Sequence, residues 1–438
     1  MKRKQLGLGA LALTLAVSGL VQPAVGSCAA LSLDEAIEMA LARNTGLKVT
    51  KKGEETAEAQ LRQARGNNGV TVSASDNLST GKSSGGERND SNSLKLSGSL
   101  PIYSGGKNQA NIKSREIGVD TAKLATEREQ EDLKLSVIKA YYNALEAKKN
   151  IDVNQESVDN YQAHLTNVQQ LYSAGSKAKI DVLRSSVELS NAQQDLIKSQ
   201  NAYEVRLATL RNYINMDREE PLTLTTDFAY EKFSPELSEA VAYAYSNRKD
   251  LLSDEYVVEQ KELAIKAAKA GFLPTVNLSL GLGQSNDFHP GSDSSHNWSA
   301  GVGVNWNIFD SGVTKAQVDE AEIARDVAKL NLEKDKETVD LNLRTAYYNM
   351  REAEKRFNST SDAVNQAEED YYIATEKYRA GEGLMLDIID AQLALSTAKL
   401  NYISAQYDYA RYKAEVENAM GVSLTESELA AASRLGQE

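Results

Sequence analysis

A single cysteine and six prolines in 438 residues set the first limits on this chain. One thiol excludes an intrachain disulfide. Scarce proline leaves long stretches with nothing to interrupt a helix. No nucleotide-binding loop, Cys/His dyad or hydrolase serine motif is present, so nothing points to an enzyme or to a bound cofactor. Beyond the N-terminal stretch no run is apolar enough to cross a membrane as a helix. Positive charge is short as well: 49 Lys and Arg stand against 62 Asp and Glu, a net charge of −13. That balance disfavours nucleic acid, or anionic lipid held by a general basic field. The abundant residues are Ala, Gln, Asn, Lys and Glu, and mean hydropathy is low. Such a composition suits long exposed helices better than two or three ordinary compact domains.

Residues 1–29 read as a signal peptide. Lys2, Arg3 and Lys4 precede an apolar run from Leu6 to Val21, and small residues follow around Ala24 to Ala30. Val25-Gly26-Ser27-Cys28 loosely resembles a lipoprotein box, but Pro23 separates it from the apolar run. The favoured reading of Cys28 is a small residue in the cleavage region.

The rest of the chain repeats itself. Ala140-Tyr141-Tyr142-Asn143 returns as Ala346-Tyr347-Tyr348-Asn349, and Tyr172-Ser173-Ala174-Gly175 as Tyr378-Arg379-Ala380-Gly381. Pro101-Ile102-Tyr103-Ser104-Gly105-Gly106 is echoed by Asn307-Ile308-Phe309-Asp310-Ser311-Gly312. All three pairs share one offset of 206 positions (140 to 346, 172 to 378, 101 to 307). Solenoid repeats run to roughly 20–50 residues, so this is a duplicated half-protein. The first repeat spans 30–216, with helix from about Ser32 to Arg65, strands at about 70–79 and 91–103, and long helices at about 106–174 and 181–215. A linker at 217–234 follows. The second repeat spans 235–421, with helix from about Pro235 to Gly271, strands at about 275–284 and 298–309, and long helices at about 312–380 and 387–420. A short tail, 422–438, ends the chain. A helix of about 65 residues is close to 100 Å long, too long for one globular core, so it must lie against other rods as a coiled coil.

The strands identify the environment. Trp298, Ala300, Val302, Val304, Trp306 and Ile308 alternate with Ser299, Gly301, Gly303, Asn305 and Asn307. Val276, Leu278, Leu280 and Leu282 alternate with Asn277, Ser279, Gly281 and Gly283, and Leu94, Leu96, Leu100 and Ile102 with Lys95, Ser97 and Ser99. In the first strand Asp76 interrupts the apolar set. Alternation over about ten residues between polar loops is the pattern of a transmembrane β-barrel strand. Trp298, Trp306, Tyr103 and Phe309 suit the membrane interfaces. Four strands cannot close a barrel and an open edge is not tolerated in lipid, so several chains must contribute.

These residues resemble the TolC family of bacterial outer-membrane efflux and secretion ducts. The resemblance covers essentially the whole mature chain. It rests on the duplication, on Phe272-Leu273-Pro274-Thr275 leading into a strand and Asn307 to Gly312 leaving one, and on Tyr378 to Gly381 followed by Leu386-Asp387-Ile388-Ile389-Asp390-Ala391. It implies a mostly α protein with a transmembrane β-barrel portion. Three chains would each give four strands to one twelve-stranded barrel, and the antiparallel coiled-coil helices would form an α-barrel through the periplasm. It further implies an outer-membrane location, a periplasmic adaptor and an inner-membrane pump as partners, and a role as exit duct for efflux or type I secretion. The first helix would start at a mid-tunnel belt, about 50 Å below the membrane at 1.5 Å per residue, which counts further against a lipid on Cys28.

The resemblance also assigns the gate. Asp387 and Asp390 match an acidic pair ringing the periplasmic aperture, where six carboxylates from three chains would attract cations. Asp387 also suits a helix N-cap, as does its repeat equivalent Asp181, whereas Asp390 aligns with Arg184. Tyr378 and Asp181 match latch positions, and the basic latch residue of the family falls on Gly383. Lys177, Lys179 or Arg184 are the candidates to replace it. Gly175 and Gly381 mark the turns at which an adaptor would dock. His289, Asp293 and His296 share a polar loop without being assigned a metal, and His164 stands isolated. The competing reading is a periplasmic coiled-coil adaptor or structural spacer without a channel; adaptors usually carry one helical hairpin flanked by compact β domains.

Overall fold

The computed structural model describes residues 29–82, 84–85, 88–288, 294–425 and 428. The signal segment with Cys28, His289, Asp293 and most of the tail lie outside the described residues. Strand β1 (Ala29–Leu31) leads to helices α1 (Leu33–Arg43) and α2 (Thr45–Gly66), then strands β2 (Thr71–Lys82) and β3 (Arg88–Tyr103). Helices α3 (Lys107–Ser173) and α4 (Lys179–Ile214) follow. After β4 (Leu222–Leu224) come α5 (Leu237–Asn247), α6 (Lys249–Lys269) and a 3-10 turn at Ala270–Phe272. The chain ends in β5 (Thr275–Asp287), β6 (Ser295–Asn305), α7 (Val313–Arg379) and α8 (Met385–Met420).

Helices α3 and α7 are each 67 residues long, or about 100 Å at 1.5 Å per residue. No described helix contains proline: Pro101 lies in β3, Pro221 in the linker, Pro235 just ahead of α5 and Pro274 just ahead of β5. Each rod starts after a glycine in the left-handed region, Gly106 (φ 89°) or Gly312 (φ 88°), so the strand can turn sharply into the helix. The rods fold back as hairpins, α3 on α4 and α7 on α8, while α6 packs between α3 and α7, and α8 lies against α3. Buried Ala140, Ala144, Ala192, Ala346, Ala353 and Ala405 keep these contacts close.

Two expected helices are each broken once. At Asn44 the side chain accepts from Leu47 N (3.1 Å) and donates to Tyr213 O (3.0 Å), which stops α1 and starts α2. At Arg248 the guanidinium pairs with Asp250 and donates to Ala419 O (2.8 Å), dividing α5 from α6. In both cases the break is held by a partner far along the chain. The helices expected from 181 and 387 begin two residues earlier, at Lys179 and Met385.

The four long strands form one antiparallel sheet in the order β2-β3-β5-β6. The hairpins run farther from the helices than their alternation suggests, to Lys82↔Arg88 and beyond Ser285↔Ser295. The last strand is shorter at its other end. Pairing stops at Thr275↔Asn305, because Pro274 ends the partner strand. Trp306 therefore leaves the ladder, and its indole donates to Phe272 O (3.0 Å).

Midway along the rods the chain ties a belt. β1 pairs in parallel with β4, a contact between the start of the first repeat and the linker. Tyr141, fully buried, donates to Leu31 O (2.9 Å) and accepts from Thr225 N (3.2 Å) and Thr226 N (2.9 Å). In the second half Tyr409 donates to Glu231 O (2.6 Å) and accepts from Phe233 N (3.1 Å). Buried polar groups left without partners cost about 1–3 kcal/mol. Tyr141→Phe is therefore expected to lower unfolding stability by about 1–3 kcal/mol, read from denaturant midpoints in detergent. A midpoint equal to wild type would show that the belt does not depend on this hydroxyl.

Candidate functional site

The end of the hairpins remote from the sheet is built by two glycine turns. Gly175 (φ 75°) and Gly381 (φ 81°) occupy the left-handed region at the ends of α3 and α7. Ser176 N donates to Leu171 O (2.8 Å), and Glu382 N to Lys377 O (3.0 Å), closing both helices in the same way. The helices that follow are also started alike. Asp181 accepts from Ala178 N (3.3 Å) and Asp387 from Leu384 N (3.0 Å). Both aspartates thus stand in the first turn and reach back to the backbone, instead of occupying the N-cap position itself.

One difference between the halves shapes the turn. Gly383 and Lys177 are equivalent in the repeat. A Cβ on Gly383 would stand 2.9 Å from Tyr378 N and 3.1 Å from the Lys377 carbonyl carbon, so this turn excludes a side chain there. Lys177 supplies the positive charge from the other turn: its ammonium lies 4.2 Å from the centroid of the Tyr378 ring. Such a cation–π contact is worth about 0.5–2 kcal/mol.

Tyr378 is 2 % exposed and packs with Val168, Met385 and Ile388. Its hydroxyl has no hydrogen-bond partner among the described residues. Burial, and then the negative charge of Asp181, push the phenol above its usual range. Asp181 therefore acts on Tyr378 through its charge, without a direct hydrogen bond. Arg184 is exposed and forms no ion pair among the described residues, so it does not join this group. Lys179 is exposed as well. Asp387 and Asp390 lie one turn apart on α8, both exposed. The charge of Asp390 is felt at Tyr161, whose phenol is pushed up to about 12, by burial first and then by Glu188, Tyr371 and Asp390.

Two features are not evident from sequence patterns. The His164 ring lies tilted against Tyr378, centroids 5.3 Å apart, buried, with Nε2 lacking a partner among the described residues. About ten residues farther from the tip, Gln392 (2 % exposed) donates to Ser157 Oγ (3.1 Å) and Ser396 Oγ (3.0 Å) and accepts from Asn160 (3.0 Å). This polar layer joins α3 to α8, hence one hairpin to the other. The only sequence signal for either is a polar residue at an otherwise apolar helical position.

At the opposite end, Trp298 is 78 % exposed near the outer part of β6. Trp306, Phe309 and Tyr103 cluster by chain position where the strands meet the rods, and all are exposed. Among the described residues no His, Cys, Asp and Glu group has metal-site geometry. His296 lies in β6.

A duplicated chain with two strands and a long helical hairpin per half, carrying a sheet at one end and paired glycine turns at the other, defines a class of elongated membrane-associated protein. A sequence model of the outer membrane efflux protein family matches residues 36–216 and again 241–422, and the chain belongs to that family. It is 24% identical over 313 residues to the solvent efflux pump outer membrane protein SrpC of Pseudomonas putida, covering 68% of this chain and 65% of that protein. The chain thus spans just under two thirds of that relative. It is 24% identical over 336 residues to the outer membrane protein TolC of Escherichia coli, covering 73% of this chain and 67% of TolC. In fold it resembles the Campylobacter jejuni CmeC outer membrane channel, with a TM-score of 0.80 at 18% identity over 92% of this chain and 89% of that one. The Vibrio cholerae outer membrane protein VceC superposes with a TM-score of 0.74 at 18% identity, over 89% and 96% of the two chains.

Burial holds the His164 imidazole below its ordinary value of 6.5. The packed tip then favours the neutral ring: its stability is full above about 6.5 and is lost as pH falls below that, toward the depressed value. Hydrogen-exchange protection of α3 and α7 near the tip should fall between pH 7.5 and 5.5 beyond the intrinsic effect of pH. In His164→Phe that loss should vanish; an unchanged pH slope in this variant would exclude His164 as its source.

Proposed function

We propose that three copies of this chain form an outer-membrane exit duct, for efflux or type I secretion, that is gated at the periplasmic tip. The observation that carries the reading is the open four-stranded sheet. Its β2 and β6 edges have no neighbour among the described residues, while its outward positions Val72, Leu94, Leu280, Leu282, Val302 and Val304 are exposed and apolar. Such a sheet is stable in lipid only when closed by further strands. Three copies make twelve. The exposed aromatic residues Trp298, Trp306, Tyr103 and Phe309 then lie at the two interfaces. The helices offer matching support, since Ile180, Leu183 and Val187 form an uncovered apolar stripe on α4 for a neighbouring copy to bury.

In this assembly the rods form a tunnel through the periplasm, and Asp387 and Asp390 ring its aperture. Lys177, Asp181 and Tyr378 hold the two hairpins of each chain together. A periplasmic adaptor engages the turns at Gly175 and Gly381 and, with an inner-membrane pump, draws the hairpins apart. Each latch is weak by design of its parts: one cation–π contact and one charge acting on a phenol, with no buried ion pair. What passes through is set by the pump rather than by the latch.

Detergent-extracted protein should run as a trimer and conduct ions in planar bilayers; a soluble monomer without conductance would overturn the duct in favour of a spacer. Lys177→Gln, and Asp181→Ala combined with Tyr378→Ala, should each raise open probability. At about 1 kcal/mol per chain and three chains opening together, the rise reaches roughly a hundredfold. Unchanged conductance in both variants would sink the latch assignment.

A further inference from the structure

The polar face of the sheet is almost wholly neutral. Apart from Pro101, its uncharged strand positions are Ser, Thr, Asn and Gly, from Thr71, Ser73 and Ser75 on β2 to Asn297, Ser299, Gly301 and Gly303 on β6. Two charges break this pattern. Asp287 stands at the far end of β5, in register with Ser91. Lys95 stands within β3, four residues or about 13 Å from that level. In register Lys95 lies between Ser75 and Gly283, with Asn297 beyond. Asn297 leans over Gly283, since a Cβ there would stand 2.2 Å from its Oδ1. The residues flanking Lys95 are thus short or absent. The ammonium is exposed and has no ion-pair partner among the described residues.

We propose that Lys95 from three copies forms a ring of positive charge that makes the barrel lumen prefer anionic solutes, those bearing carboxylate or phosphate groups. The inference rests on the trimeric duct above. Its reach follows from dimensions. Twelve strands about 4.8 Å apart and tilted about 40° close at a radius of roughly 12 Å. A lysine extending about 6 Å inward leaves its ammonium roughly 6 Å from the axis. The Debye length is about 8 Å at physiological salt, so the ring's field covers the whole lumen. At 1 M salt it shrinks to about 3 Å and the centre becomes neutral. The lumen is too wide for these charges to exclude cations; they bias passage. Ring charge of one sign is the ordinary way a water-filled pore selects ions.

The test is the reversal potential of the full chain in planar bilayers under a KCl gradient. Asp387→Asn and Asp390→Asn form the background, which removes the acidic aperture's own preference. With Lys95 present, chloride should be favoured at about 0.1 M, a condition in which the Debye length is about 10 Å. Lys95→Gln should abolish the preference, Lys95→Glu should reverse it several-fold toward potassium, and Lys95→Arg should keep it. All four should converge at 1 M salt. A conducting trimer whose permeability ratio is the same with Lys95, Gln and Glu overturns the ring. Absence of any trimer or conductance in the background protein overturns the duct itself and the ring with it. If the Glu variant fails to assemble, the comparison of Lys95 with Gln and Arg decides.

Discussion

A backbone N–H or C=O facing hydrocarbon has no water to bond, so a sheet that enters lipid must have no free edge. This chain presents two such edges, β2 and β6, on a sheet whose outward positions are apolar. In the proposed assembly identical copies close the sheet, and that closure propagates into the rest of the molecule. Each copy that adds four strands also adds two helical hairpins, and both repeats hand their strands to the rods through a left-handed glycine, Gly106 or Gly312. The radius set by the strands is thereby imposed on the helices. Small buried residues such as Ala140, Ala144, Ala346 and Ala353 allow them to pack at that spacing.

Duplication explains the symmetry of the tip, and divergence explains its asymmetry. Both turns use the same glycine closure and the same first-turn aspartate, so Asp181 and Asp387 share a structural task. The specialised contact arises where the repeats no longer match. Gly383 leaves no room for a side chain, and its counterpart Lys177 places its charge over the tyrosine of the other half. One repeat contributes the cation and the other the ring, so the contact exists only when the hairpins are together.

The long-range plan was legible in the sequence because it rests on local signals. Alternation along β3, β5 and β6, proline-free stretches and the Ala-Gly turns each express a preference that neighbouring residues settle. The features that escaped depend on partners far away. Asn44 breaks a helix by bonding Tyr213, and Arg248 by bonding Ala419. β1 and β4, three residues each, are too short to show a period, and they pair across the whole first repeat. The end of β6 is fixed by Pro274, just ahead of the strand beside it. At the tip only the packing of two hairpins brings Lys177, rather than Lys179 or Arg184, over the Tyr378 ring. His164, isolated in sequence, gains meaning only from the ring it meets in space.

The energetics of the tip follow from the same packing. The cation–π contact contributes about 0.5–2 kcal/mol per chain. Against it stand the Tyr378 hydroxyl and His164 Nε2, neither with a partner among the described residues; a buried polar group without compensation costs up to about 1–3 kcal/mol. Apolar burial by Val168, Met385, Ile388 and Ala391 supplies the remaining attraction. The polar layer of Gln392, Ser157, Ser396 and Asn160 is fully bonded and sits farther along the rods, where it fixes the register of the two hairpins. Stability is thus graded along the rods, with a satisfied layer above and an imperfectly satisfied cluster at the end. In the proposed gating, a partner need only compete with the weaker part, and separation would start at the turns and stop where Gln392 holds α8 to α3.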